Sequence, residues 1–358
     1  MLKILDRYII KKFLTTFFFM LGVIMLLAMV FDLSDRLGEF IDNNAPISDI
    51  VFIYYFNFIL LYGNMFSFMI IFISVIWFTA KLAQDSEIIP MWNSGKPFSR
   101  FIRPYMIAAS ILVFISLFIN HLILPNSNSK RLQFEESYYR DALNVVNYNA
   151  EYPGNQLVQF GSYISEENVI NNFILQRFDD QDSLEYILIA RIATNEAGTK
   201  KWNLTDYYER YVGYPVDRLY EGQKKDTTFI FTIEEMATRS SIATSMSTFE
   251  LVEFIEKEKL KGSGSVPIYE LELHSRTANP FATYILTIIG IAVSSRKKRG
   301  GIGINIAIGL VIVLIYIFAM KVTAVAAENV GFPAVIAAWI PNVLFTIVAV
   351  FMYRTAQK

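Results

Sequence analysis

The sequence predicts an α-helical integral membrane protein with six transmembrane helices and an all-β, jellyroll-like domain inserted between helices three and four. Three observations predict this class. Charge is absent from six long windows and dense elsewhere. Lys and Arg gather in alternate connectors. A long stretch between the third and fourth windows reads as strands and turns. Of the 358 residues, 54% are hydrophobic and 18% are charged, against about 45–50% and about 25% in ordinary soluble domains. The formal net charge of -1 gives no global field for nucleic acid. The chain has no cysteine, which excludes disulfides, thiolate metal sites and thiol catalysis.

A helix needs roughly 20 apolar residues to cross the hydrocarbon core. The charge-free windows are Phe13–Phe31, Ile50–Ala80, Pro104–Ser129, Thr277–Ser295, Gly300–Met320 and Asn329–Tyr353. No small-residue cleavage site follows the first, so it reads as a span and not a signal peptide. Cations in short loops set the orientation. Lys3, Arg7, Lys11 and Lys12 precede span one, and Lys81, Lys96, Arg100 and Arg103 follow span two. Arg296, Lys297, Lys298 and Arg299 follow span four, and Arg354 and Lys358 end the chain. The opposite loop after span one has only Arg36 against Asp35, Glu39, Asp42 and Asp49. Both termini and the loop 81–100 are therefore expected in the cytoplasm, within a first helical block 1–129. The last three helices occupy 277–358.

The insert 130–276 is then expected outside. NQLVQFGSYI, NNFILQRFD and LEYILIARIAT are β-branched and aromatic runs separated by turn-forming residues. KWNLTDYYERYVGY and TTFIFTI continue the pattern, and the spacing predicts a sandwich or jellyroll-like sheet pair. The segment STFELVEFIEKEKLK reads instead as an amphipathic helix, ended by GSGSVP.

With this layout in place, particular strings carry a resemblance. LDRYIIKKFLTTF, LAQDSEIIPMWNSG, LILPNSNSKR, GTKKWNLTD and GFPAVIAAWIPNVLF occur in that order along nearly the whole chain. The sequence resembles the LptF/LptG permeases of lipopolysaccharide export, its two ends more the LptG kind. The resemblance implies one permease subunit of an ABC exporter in a bacterial inner membrane, with the β domain in the periplasm. The implied partners are an LptB-like ATPase dimer, a second LptF/LptG-type permease, an LptC-like periplasmic bridge protein, lipopolysaccharide and membrane lipids. No GxxxxGK[ST] string is present, so ATP hydrolysis would belong to a separate subunit and no cofactor is implied.

The resemblance also gives a role to the half-apolar loop KLAQDSEIIPMWNSGKPFSR. In the family this loop is a coupling helix that docks in a groove of the ATPase. Ile88, Met91 and Trp92 have the spacing of groove anchors, Ile89 joins their apolar cluster, and Asp85 and Glu87 supply charge, with Glu87 facing a basic residue of the ATPase. Gly95 can end that helix, and Pro97 prevents its return. Pro90 is a departure, tolerable only in a first turn. The bland alternative is an interfacial helix lying on lipid headgroups.

A phosphorylated, many-chained lipid needs an apolar wall and outer-leaflet cations, Arg and Lys being suited to phosphate. Position singles out Arg36, Lys130, Arg131 and Lys321, with Lys321 the strongest because a cation at membrane depth is costly unless it snorkels, pairs or faces a cavity. Phe31, Phe66 and Phe318, with Leu37, Phe40 and Val322, are candidate acyl-chain contacts; plain packing or snorkelling is the competing reading for each. Asp32 is a candidate partner for a cation of the second permease. His121 and His274 are far apart, and no metal-ligand or nucleophile-elbow string occurs. Two further readings stay open: a membrane enzyme acting on a lipid-linked substrate, and a sensor whose external domain binds a ligand. An MacB-like subunit fits less well, because its external domain follows the first span.

Overall fold

The computed structural model describes residues 3–88, 90, 97–140, 143–165, 168–196, 199–213, 215–236, 239–295 and 301–356. Ile4–Asp42 forms one continuous helix, α1. Its 39 residues extend about 58 Å at 1.5 Å per residue. The amides of Asn43 and Asn44 close it onto Glu39 and Ile41 carbonyls, and Asn44 turns left-handed at φ 53°. Pro46 then opens α2, Ile47–Met65. The next helix, α3, spans Ser67–Gln84, and α4 spans Phe98–Tyr138 after Pro97.

Among the described residues, seven helices are long and apolar enough to cross a membrane. The sequence predicts six, and the difference arises inside Ile50–Ala80. That window breaks at Phe66 (φ -93°, ψ 4°). Helical hydrogen bonding nevertheless runs on through the break. The Phe66 amide donates to the Tyr62 carbonyl at 2.9 Å, and the Ile70 amide donates to the Phe66 carbonyl at 3.1 Å. A chain cannot reverse while these bonds hold, so α2 and α3 continue each other as one bent rod. A widened π-turn over Ile50–Tyr55 lies at the start of this rod.

The strands β1 (Asn144–Tyr152), β2 (Gln156–Ile164), β3 (Val169–Phe178), β4 (Leu184–Asn195), β5 (Lys201–Tyr211) and β6 (Arg218–Thr228) follow α4. They form one antiparallel sheet in sequential order. This is a meander, whereas a jellyroll pairs strands distant in sequence across two sheets. Gly154 and Asn155, both at positive φ, make the β1–β2 turn. Asp179 Oδ1 accepts the amides of Gln181 and Ser183 at 2.8 and 2.9 Å and shapes the β3–β4 turn.

Only Thr227 and Thr228 of the stretch TTFIFTI belong to the sheet, as the end of β6. Phe229 and Phe231 instead pack with Phe173 and Trp202 on its apolar face, next to the short helix α5 (Ile233–Met236). Helix α6 spans Thr248–Leu260 and begins with a capping box. Ser247 and Glu250 exchange hydrogen bonds between side chain and backbone at 2.8 and 3.3 Å. The final helices are α7 (Val266–Ser294), α8 (Gly301–Val330) and α9 (Ala334–Ala356).

The chain divides into two compact units. One comprises residues 1–139, 243–251 and 267–358; the other comprises 140–242 and 252–266. In the helical unit, α3 is the central rod. Its Phe72, Val75 and Ile76 face α7 and α8, while Ile70, Ile71 and Phe78 meet α1 and α4. Helices α1, α8 and α9 leave long apolar stripes exposed, including Phe18, Phe19, Leu26, Leu314 and Phe351. Stripes of this length are typical of a surface in contact with lipid or other apolar protein.

Candidate functional sites

The N-terminal turn of α1 meets the loop that follows α3. Asp6 is almost fully buried and receives Arg100 Nη1 and Nη2 at 2.7 and 2.8 Å, plus the Lys3 amide at 2.9 Å. Two residues on, the Tyr8 hydroxyl donates to Glu87 Oε2 at 3.2 Å. Helix α3 ends with Ser86 left-handed at φ 60° and with the Glu87 amide bonded to the Leu82 carbonyl at 2.9 Å. Asp85 and Glu87 are exposed. Ile88 is helical but only 2% exposed, packed in the same apolar cluster as Ile9, Phe13 and Phe101. It therefore anchors the loop to this chain's own core and leaves little surface for another protein. Pro90 is helical as well, and Ile89, Met91, Trp92 and Gly95 lie outside the described residues.

At the far end of α1, Arg36 sits in an aromatic and acidic cluster. Its guanidinium lies over the Tyr139 ring at 4.0 Å, with Asp32 at 3.5 Å and Glu39 at 3.4 Å. The Tyr54 hydroxyl donates to both Asp32 oxygens, at 3.1 and 2.9 Å, and accepts from the Tyr139 hydroxyl at 3.2 Å. Phe40 is buried against Tyr54, Phe134 and Tyr139 and belongs to this packing. Asp32 is thus already engaged within the chain.

Lys130 and Arg131 are neighbours with different surroundings. Lys130 is exposed. Arg131 is buried, ion-paired to Glu135 and bonded through Nε to Asn128 at 2.9 Å. Around it runs a polar lattice that sequence reasoning did not find. Ser127 donates to Asn57 at 2.6 Å, Asn120 to the Arg276 carbonyl at 2.9 Å, and Arg276 Nη2 to the Ala243 carbonyl at 2.8 Å. His121 Nδ1 contacts the Thr248 hydroxyl at 2.8 Å, a structural role. Arg276, immediately before the charge-free window at Thr277, was the available signal.

Lys321 is exposed on α8. Phe318, Val322 and Val325 lie on the same helical face and are exposed too, Phe318 at 69%. Phe31 on α1 is 70% exposed. Phe66 is half-buried and stacks on Tyr62 with ring centroids 6.4 Å apart.

The sheet unit offers one apolar face. Val158, Phe160, Phe173, Leu175, Leu188 and Ala190 point into it on one half, and Ile170, Ala193, Trp202 and Leu204 on the other. Between the halves a line crosses all six strands at 147, 161, 172, 191, 206 and 223, bracketed by the pairs Tyr148↔Phe160, Phe173↔Ala190 and Tyr207↔Gly222. Asn147, Asn172 and Asp206 on this line have φ of 54°, 54° and 52°. Each strand switches its inward parity there, as from Ile170 to Phe173. The crease therefore keeps the same face apolar on both sides. Near one end of that face, buried Glu209 accepts Tyr186 at 2.6 Å and Lys225 at 2.5 Å. Burial, and then the Glu209 carboxylate, push the Tyr186 hydroxyl pKa up. A cleft lined by residues that include Thr194, Trp202, Asn203, Asp226 and Thr228 holds none of the selected cations.

The matched family decides what these units serve. Residues 7–355 match the lipopolysaccharide export system permease LptF/LptG family. The chain belongs to that family. LptF/LptG proteins are permeases of the lipopolysaccharide transport complex, so this chain is a multi-pass inner-membrane transport subunit. The match does not separate the LptF half from the LptG half. No curated protein matches the chain.

Proposed function

We propose that this chain is one of two permease subunits of an ABC exporter that lifts lipopolysaccharide from the outer leaflet and passes it along its external sheet domain. The observation that carries this reading is the family match over nearly the whole chain, together with a separate sheet unit placed between two sets of apolar helices. Both termini and the loop 81–100 lie in the cytoplasm on this reading, as the Lys and Arg bias requires. An LptB-like ATPase dimer docks on that loop through Glu87, Met91 and Trp92, with Asp85 beside them. Ile88 holds the loop from the inside. A second LptF/LptG-type permease covers part of the exposed stripes of α1 and α8, and an LptC-like protein receives the lipid beyond the sheet.

Lys321, Arg36 and Lys130 serve the lipid phosphates, and Phe31, Phe318 and Phe66 the acyl chains. Arg131, paired to Glu135, serves the packing of α4 beside Lys130. ATP-driven closure of the ATPase pair moves the loop, and α1 and α8 shift against the partner permease to expel the lipid upward. The acyl chains then enter the apolar interior of the creased sheet, displacing part of its own filling.

The test is purification of this chain in nanodiscs from its native membrane, followed by identification of every associated protein and lipid. An ATPase, a second six-span permease and a lipid A species are expected. A chain that carries no ATPase even after crosslinking through Trp92 would sink the exporter reading in favour of a membrane enzyme or sensor.

A further inference from the structure

Helix α1 is weakly held along most of its length. Only 17% of its apolar window is buried, against 72% for α3. Its N-terminal turn is the exception. Asp6 accepts both terminal nitrogens of Arg100, 94 residues away, and is 3% exposed. Tyr8 reaches Glu87, 79 residues away. Ile9 and Phe13 pack in one cluster with Ile88 and Phe101. Glu87 and Ile88 stand where the chain leaves α3, and Arg100 stands where it enters α4. Both ends of the loop therefore grip the same turn of α1.

A two-pronged guanidinium–carboxylate pair fixes orientation as well as distance, which a single lysine contact does not. A stiff helix clamped at one turn moves as a lever. The other end of α1 carries Asp32 and Arg36. We infer that Asp6 and Arg100 are positioning residues that clamp α1 to the first turn of α4, as Tyr8 and Glu87 tie it to the end of α3, so that displacement of the loop between them is delivered directly to α1 and to Asp32 and Arg36 at its far end. This rests on the reading of that loop as the ATPase dock. It adds the path by which the movement reaches α1.

The test uses the full exporter in proteoliposomes, with lipopolysaccharide release and ATP hydrolysis measured in the same sample. In Asp6→Asn, lipid released per ATP should fall about tenfold, the worth of one charge-assisted fork. The chain has no native cysteine, so in the double variant Asp6→Cys with Arg100→Cys the two introduced thiols are the only ones of this chain that a short bis-maleimide can join. The joined form should recover most of the ratio that the unjoined form loses. A fold staple alone would alter melting without producing this loss and recovery. An unchanged ratio in Asp6→Asn, or no recovery on joining, overturns the clamp while leaving the exporter reading intact. If Asp6→Asn does not fold, Arg100→Lys keeps the charge and loses the fork; a full parental ratio in that variant also overturns the clamp. A parent complex that releases no lipid on ATP overturns the exporter reading and the clamp together.

Discussion

Gly309 of α8 lies so close to Ile76 of α3 that a methyl group on Gly309 would overlap Ile76 Cδ1. Gly290 of α7 meets the same rod, where an added Cβ would sit 3.0 Å from Val75 Cγ1. Small residues let membrane helices approach closely, where dispersion contacts replace the missing hydrophobic drive. Gly309→Ala should therefore destabilise the helical unit by about 1–3 kcal/mol, the usual cost of overpacking. Thermal unfolding in detergent measures it. Ile76→Val in the same chain should recover part of the loss, because the offending methyl is removed. Strictly additive effects of the two changes would show that the contact is not the cause.

A second prediction concerns a polar clamp inside the same unit. The Tyr316 hydroxyl donates to Asn342 Oδ1 at 2.8 Å, and Asn342 Nδ2 donates to the Ala278 carbonyl at 2.8 Å. One amide thus joins α7, α8 and α9. Asn342→Leu breaks both bonds and leaves the Tyr316 hydroxyl buried without a partner, at about 1–3 kcal/mol. Tyr316→Phe should cost less, and the double variant should be less destabilised than Asn342→Leu alone, because no buried hydroxyl is then left unpaired. A double variant whose loss equals the sum of the two would mean that the residues act independently.

How far the fold could be read from the sequence followed from the physics of each element. Charge-free windows and cation bias exposed the helices, since membrane depth excludes charge from every position. Phe66 escaped because nothing in its residue type marks a break. In the sheet, β2 to β5 were legible as β-branched runs. RLYEGQKKDTT was not, because β6 is an edge strand whose residues are mostly exposed. TTFIFTI misled for the opposite reason, its aromatic rings being core filling from outside the ladder. The mid-strand Asn147, Asn172 and Asp206 were the overlooked signal, since Asn and Asp tolerate left-handed backbone best after Gly. At the candidate sites, the sequence located Arg36, Lys130 and Lys321 by depth. It could not distinguish buried Arg131 from its exposed neighbour, because Glu135 one turn on neutralises one and not the other.

That contrast gives a third prediction. Arg131→Ala removes a buried guanidinium with its ion pair to Glu135 and its bond to Asn128, and should destabilise the protein by about 1–3 kcal/mol. Lys321→Ala and Lys130→Ala remove exposed groups and should leave melting nearly unchanged. If the proposed lipid role holds, Lys321→Ala should instead lower the amount of lipopolysaccharide that copurifies with the complex. Mass spectrometry of extracted lipid, beside a melting curve for each variant, separates the two effects. Equal lipid retention in parent and Lys321→Ala would remove Lys321 from the phosphate site.

The last prediction is a pH dependence in the sheet unit. Tyr186 is held protonated by burial and by its bond to Glu209, so its native pKa lies above the value of about 10 for an unfolded tyrosine. The contribution is fully present below pH about 10, where the phenol is neutral in both states. Above that pH the unfolded chain releases the proton first, so it binds fewer protons than the native state and stability falls as pH rises. Tyr186→Phe has no proton to lose. Its stability should decline less steeply between pH about 9.5 and 11.5 than that of the parent, although it starts lower for want of the Glu209 bond. Urea unfolding followed by a probe in the sheet, at several pH values in that window, gives both slopes. Parallel slopes would mean that the Tyr186 proton is as easily lost in the fold as outside it, and that Glu209 takes its main support from Lys225 alone.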